Sequence, residues 1–211
     1  MRGGQASPAN KEEETDMNRF LGVFVLLMAC LSLLPCKLYA KDLDVGAIEL
    51  FGVKLRDASR EEFRKACRSA YMVGPIKSRD IQGVMTLDVY KVTGQLEGAT
   101  QFSVMCAADT GELVSASYDF KPGVRWRDVV YLVSTKYGQP GESREDSSVY
   151  RPAAFWPRAD ADWSIHVMQD DDGDVDLTYV HMSAFERCLK KSSERTQAEK
   201  MKRSKAQGNA F

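Results

Sequence analysis

Between residues 85 and 120 the apolar side chains fall at every second position in three separate runs. Met85, Leu87 and Val89 alternate with Thr86, Asp88 and Tyr90; Phe102, Val104 and Cys106 follow, then Val114, Ala116, Tyr118 and Phe120. A period of two turns one face of each run toward a core and the other away, as in antiparallel strands. In-phase pairing of the last two runs sets Cys106 opposite Val114 and Val104 opposite Ala116. That register leaves Asp109-Thr110-Gly111 as a three-residue hairpin loop, with glycine where a left-handed backbone is wanted. Strand-like runs return at Val149 to Trp156, Trp163 to Val167 and Val175 to Tyr179, with Trp163 expected against Tyr179, Ile165 against Leu177 and Val167 against Val175.

A helix precedes each set of three. Ser59 and Glu62 have capping-box spacing, and Phe63, Ala66, Cys67, Ala70 and Tyr71 continue as one apolar stripe that Gly74-Pro75 ends. The second stripe, within a helix expected from about Val124 to Tyr137, is Trp126, Val129, Val130, Val133 and Tyr137; Gly138 and Pro140 stop it. Residues 139–148 read as a loop. A last helix opens near Ser183, with Phe185, Cys188 and Leu189 as its apolar turn. From Glu186 to Lys205 there are eight Lys or Arg against three Glu, and the basic segment 190–211, lacking a core stripe, is expected to fray. The predicted class is α+β, in the order α-βββ-α-βββ-α: an antiparallel sheet of about six strands in two three-stranded meanders, with two to three helices. Residues 41–189 make one domain, divisible into helix-plus-meander repeats over 57–120 and 124–181. Its expected core includes Phe63, Cys67, Phe102, Val104, Val114, Tyr118, Trp126, Val130, Trp163, Ile165, Leu177 and Tyr179.

The N-terminus bears on compartment. Phe20 to Leu34 is fifteen residues without a charge, preceded by Arg19 and followed by Pro35. A spanning helix needs about 20 apolar residues, a signal-peptide core about 7–15. Residues 1–40 therefore read as an N-terminal extension plus signal peptide, cut after Ala40, with translation starting at Met1 or Met17. A buried core helix or an uncleaved anchor is the alternative, and lipidation at Cys30 a weaker one, because apolar residues continue past it. The mature chain keeps Cys67, Cys106 and Cys188, which in an oxidising compartment either pair or serve as small buried hydrophobes. With 44% hydrophobic and 28% charged residues the 211-residue chain has enough apolar surface to fold, and a net charge of −1 argues against nucleic-acid binding.

Motifs that could carry chemistry fail on their surroundings. Asp109-Thr110-Gly111 is the aspartic-protease triplet, but it has no twin and the hairpin accounts for it. In Asp170 to Asp176, aligning Gly173 with the invariant glycine of a calcium loop puts Met168 and Tyr179 where carboxylates are required, so an acidic turn is the better account. His166 lies on the parity away from the apolar face, opposite Asp176 in the expected register, while His181 falls on the other parity; the two imidazoles make no joint site. Cys188 sits between Arg187 and Lys190, yet on the apolar turn of its helix. No glycine-rich phosphate loop and no Cys-x-x-Cys pair occurs. No catalytic, cofactor-binding or metal-ligating residue is therefore assigned, and no cofactor is expected.

The segment Glu49-Leu50-Phe51-Gly52-Val53-Lys54-Leu55, its Asp57-to-Glu62 helix start, and the helix end Lys136-Tyr137-Gly138-Gln139-Pro140 resemble those of small exported (periplasmic) proteins of Gram-negative bacteria. More distantly, the helix-then-meander order is similar to the envelope domains grouped with the β-lactamase-inhibitor protein (BLIP) and the assembly lipoprotein BamE. The resemblance implies a non-catalytic envelope protein. The expectation is a periplasmic or secreted interaction module with an envelope-protein partner and no nucleic acid, touching membrane only through its signal segment or weakly through the basic tail. Tyr90, Trp156 and the loops at Asp109 and Asp170 are the expected contact surface, since exposed aromatics favour interfaces. A hydrolase assembled from sequence-distant residues is the competing class; convergence of His166, a carboxylate and a Ser or Cys would favour it.

Overall fold

In the computed structural model, which describes residues 48–55, 58–70, 75–92, 94, 96–145, 151–156 and 162–208, a short hairpin, β1 (Glu49–Leu50) and β2 (Val53–Lys54), leads into helix α1 (Arg60–Ser69). The meander β3 (Lys77–Ile81), β4 (Met85–Lys91), β5 (Ala99–Ala107) and β6 (Leu113–Phe120) follows. Helix α2 (Trp126–Tyr137) then opens a second meander, β7 (Glu142–Arg144), β8 (Ala153–Trp156), β9 (Trp163–Gln169) and β10 (Val175–His181), and α3 (Met182–Gly208) closes the chain. Residues 1–40, and with them the signal-peptide reading, lie outside the described residues, as do Tyr71 and Gly74.

Ser59 starts α1 as its spacing predicts. Glu62 N–H donates to Ser59 Oγ at 3.3 Å and Ser59 N–H to Glu62 Oε2 at 2.8 Å, so the two side chains satisfy amides that the first helical turn leaves open. Phe63 and Cys67, one turn apart, are the residues α1 buries. Helix α2 has no side-chain cap at Arg125, and it ends at Gly138, whose positive φ of 82° favours glycine.

The α+β class holds, with one eight-stranded antiparallel sheet in the order β3-β4-β5-β6-β10-β9-β8-β7 beside the two-stranded hairpin. Each meander has four strands, not three. Their last strands, β6 and β10, pair antiparallel at the centre, from Asp119–Asp176 to Ser115–Val180, so the two join as one sheet. The strands absent from the sequence expectation are the outer ones. β3 (KSRDI) and β7 (ESR) are polar edge strands, and β7 lies where a loop was expected. Charged side chains on an edge discourage pairing with other chains, and they also erase the apolar alternation.

Both faces of the sheet are buried over much of their area. On the first, Tyr90, Phe102, Val104, Cys106, Tyr118, Ile165, Leu177 and Tyr179 join one core with Phe63 of α1, Trp126 and Val133 of α2, and Leu50 of the hairpin. Phe102 is its centre, 4.7 Å from the ring of Phe51 and 4.8 Å from Tyr118, spacings at which aromatic pairs attract beyond their area burial. On the second face Met85, Leu87, Met105, Ala107 and Val180 are buried, and α3, packed on β6 and β10, buries Ala184, Phe185 and Cys188. Val114 is buried as well, at the point where the register slips between Met105 and Cys106 and Leu113 takes the place opposite Cys106.

This two-sided burial corrects the expected contact surface. Tyr90 pairs with Phe102 on the first face and is fully buried, and Trp156, 2% exposed, donates from Nε1 to the Gly138 carbonyl at 2.8 Å, closing the end of α2. The expected core residues are buried except Val130, which is half-buried. Cys67, Cys106 and Cys188 are free and buried; burial, the largest cause for each, pushes the first two thiols up to about 12 and raises the third. The chain beyond Lys190, where fraying was expected, continues as helix to Gly208.

Candidate functional site

Three cross-strand rows on the second face decide what the protein can offer a ligand. Nearest α3, Leu87, Met105, Ser115, Val180 and Ser164 lie side by side across five strands. The next row is Val89, Ser103, Ser117, Thr178, His166 and Phe155. The third is Lys91, Gln101, Asp119, Asp176 and Met168. Hydroxyls, an imidazole and two carboxyls thus gather along the seam between the meanders. Residues i and i+2 of a strand share a face, so the sequence signal for this ladder was the polar phase of the alternation, Ser103 on β5 and Ser115, Ser117, Asp119 on β6. Alternation by itself sets that phase away from the core.

His166 is the largest departure. The β9–β10 register runs Trp163–His181, Ile165–Tyr179, Val167–Leu177, a shift of two residues from the expected pairing, so Thr178 and not Asp176 faces His166. The imidazole is 2% exposed rather than on a wet face. It meets the Phe155 ring edge-on at 5.1 Å, and Nε2 shares a 2.8 Å hydrogen bond with Ser164 Oγ. Burial pushes its pKa down to about 4, so it is neutral at physiological pH.

A serine on an imidazole is half of a nucleophilic relay, and the other half is missing. His166 Nδ1 is buried without a hydrogen-bond partner, so no carboxylate orients the ring. Ser164 is itself 8% exposed and points its hydroxyl also toward Met182 Sδ, at 3.4 Å. His181 lies apart. Its Nδ1 accepts from Ala184 N–H at 3.3 Å, and it stands 3.7 Å from Glu112 and 3.8 Å from Asp162, in contact with the root of α3. The two histidines are not brought together.

The carboxyl pair at the seam is electrostatically unusual. Asp119 and Asp176 are direct cross-strand partners. Burial, then the Asp119 charge and hydrogen bond, then Asp170 and Asp174, all raise the Asp176 pKa. Burial raises that of Asp119 as well. Like charges at such spacing do not both ionise easily, and the pair retains a proton into the neutral range. Beside it Ser117 and Thr178 share a 3.0 Å hydrogen bond.

The loops singled out by sequence are hairpin turns. Gly111 has φ 70° and donates to Ala107 O, while Asp109 binds Lys191 of α3. Asp170 Oδ1 accepts from the amides of Asp172 and Asp174, both at 2.9 Å, an acidic turn closed on its own backbone. Among the described residues no group of three His, Cys, Asp or Glu has metal-binding geometry, and no helix is long and apolar enough to cross a membrane. Among the described residues, shallow cavities of about 410 Å³ beside Arg125, Trp126 and Arg127 and of about 500 Å³ beside Phe51, Lys54 and Lys65 are not lined by the seam residues.

Comparison with known proteins gives no matching family model, no similar curated protein and no similar solved structure.

Proposed function

We propose that this chain is an exported, non-enzymatic interaction module of the bacterial envelope, and that it meets its partner with the polar seam of its second sheet face. The carrying observation is the half-buried Ser117 and Thr178 beside Asp119 and Asp176, with the exposed Lys91 and Gln101 in the same row as the two carboxyls, while Ser103 and His166 lie buried next to them. These groups form a flat set of donors and acceptors with no oriented nucleophile, which suits recognition better than turnover. The short apolar run Phe20 to Leu34 supports export, and the resemblance to periplasmic helix-plus-meander domains points the same way.

Gln101 is exposed and belongs to the seam's third row, whereas Tyr131, 75% exposed on α2, belongs to the opposite side. A photo-crosslinking residue at Gln101 in the full-length chain is expected to give one discrete adduct in the envelope fraction, beginning at Lys41 by N-terminal sequencing and lost on Thr178→Arg. The same residue at Tyr131 is expected to give none. Equal labelling from both sites, or a cytoplasmic product that still carries residues 17–40, would overturn the proposal.

A further inference from the structure

Helix α3 begins on an imidazole. His181 is the last residue of β10 and Met182 the first of α3, and Ala184 N–H donates to His181 Nδ1 at 3.3 Å. The side chain thus satisfies one of the amides that a first helical turn leaves open. Serine, threonine, asparagine or aspartate holds that place in most helices. None of those four loses its acceptor between about pH 5 and 8, as an imidazole does. An Nδ1 that accepts also fixes the tautomer, with the proton of the neutral ring on Nε2. Ala184 itself is 1% exposed, buried with Phe185 and Cys188 where α3 packs on β6 and β10, so its amide has no water to turn to once the cap is gone.

Acceptors for a charged ring already surround it. Glu112, just ahead of β6, stands with Oε1 3.7 Å from Nδ1, while its Oε2 takes Arg187 of α3 at 2.6 Å. Asp162, just ahead of β9, stands with Oδ2 3.8 Å from Nε2 and accepts from Ser183 Oγ at 2.9 Å. On β9 the Trp163 ring lies against the imidazole, its centroid 5.0 Å away. Arg187 is the cation that acts on it among the described residues. Both carboxylates are too distant for hydrogen bonds to the ring, and about 1 Å of movement would close either gap.

We propose that His181 is an acid-sensitive latch on α3: the neutral ring caps the helix through Nδ1, and the imidazolium leaves Ala184, turns its two N–H groups to Glu112 and Asp162, and loosens the first turn from the sheet. The proton enters at Nδ1, the atom that holds the cap, so the capped state and the charged state exclude one another. A positive charge at this end of a helix also opposes the peptide dipoles. Burial, the largest cause, lowers the His181 pKa against the pull of Glu112 and Asp162, and Arg187 adds to the lowering. The fold therefore favours the neutral ring. The cap is complete above the ordinary value of about 6.5 and is lost as the pH falls below it.

Amide hydrogen exchange on the full-length chain, read by NMR, tests this directly. Between about pH 7.5 and about pH 5 the protection factors in the first turn of α3 are expected to fall about fivefold relative to those of α2, the weight of one lost helix cap. Taking α2 as the reference removes any loss of stability shared by the whole domain, including that from His166. His181→Asn accepts the same amide and does not titrate, so its first turn is expected to stay equally protected at both values. The ring nitrogens of the wild-type chain give a second readout: their ¹⁵N shifts are expected to show His181 with its proton on Nε2 at the upper pH. A first turn whose relative protection ignores pH, an equal acid loss in His181→Asn, or a neutral ring protonated on Nδ1 would each overturn the proposal.

Discussion

Asp88 and Asp176 are both carboxylates on inner strands of the same sheet, and their surroundings are opposite. Asp88, on the first face under α1, is fully buried and held by both guanidiniums of an i, i+4 pair: Arg60 at 2.8 and 2.7 Å, Arg64 at 2.8 and 3.0 Å, with Ser78 Oγ adding a bond of 2.7 Å. Burial alone would raise its pKa, but these hydrogen bonds outweigh burial and hold the carboxyl well below the ordinary range. Asp176 has a second carboxyl as its neighbour, and its pKa moves the other way. One face uses charge to lock a helix to the sheet. The other sets two carboxyls side by side that hold a proton between them into the neutral range, and there a cationic or hydrogen-bonding visitor has most to gain.

The largest effect expected from testing this contrast is at Asp88. Asp88→Asn leaves two arginines facing a neutral group, and denaturant unfolding should show a loss of about 3 kcal/mol, the low end for a broken buried pair because the arginines are partly exposed. Its pH signature is set by a depressed folded pKa: the contribution is complete above the unfolded value near 4 and is lost as pH falls below it. A Asp88→Asn variant as stable as wild type would remove the lock.

His166 acts in a separate window. Its folded pKa of about 4 lies below the unfolded value, so its neutral form favours folding above pH ~6.5, and stability declines from there toward pH 4. Between pH 7 and 5 this one group should cost about 2 kcal/mol at ~1.4 kcal/mol per unit, and His166→Phe should flatten the melting temperature over that interval. An unchanged slope would mean the ring is not dry.

For Asp176 the sign reverses. A folded pKa raised above the unfolded one means that stability is lost as pH climbs past ~4 and stays lost at neutrality. Asp176→Asn is therefore expected to stabilise the protein at pH 7 by about 1 kcal/mol while leaving pH 4 nearly untouched, measured by thermal melts at both. Equal stabilisation at both would point to packing instead. The smallest effect belongs to Ser117→Ala, which removes one half-buried hydroxyl pair with Thr178 and should cost about 0.5–1 kcal/mol.

How much of this the sequence carried depends on what each residue's signal encodes. The capping box at Ser59, the stripe of Phe63 and Cys67 and the turn at Gly111 are local, and a short window contains everything that decides them. The β9–β10 register is not. A slip of two residues keeps every side chain on its face, so the hydrophobic pattern is blind to it, and the length of the acidic turn alone sets the pairing. Tyr90 and Trp156 were misplaced for a related reason. On β4 the more apolar phase, Met85 and Leu87, faces the second core, while Asp88 and Tyr90 face the first. Alternation tells that two faces differ; it does not tell which element covers each. The seam row was invisible until β6 and β10, 55 or more residues apart in sequence, were placed side by side.

The antiparallel pairing of β6 with β10 also governs what happens to a broken chain. Each meander taken alone would end in a bare strand with unpaired amides and carbonyls on one side, an open template for aggregation. Joined, they cancel that hazard mutually. A nick in the linker between Phe120 and Trp126 should therefore leave two pieces that reanneal along this strand pair sooner than survive apart.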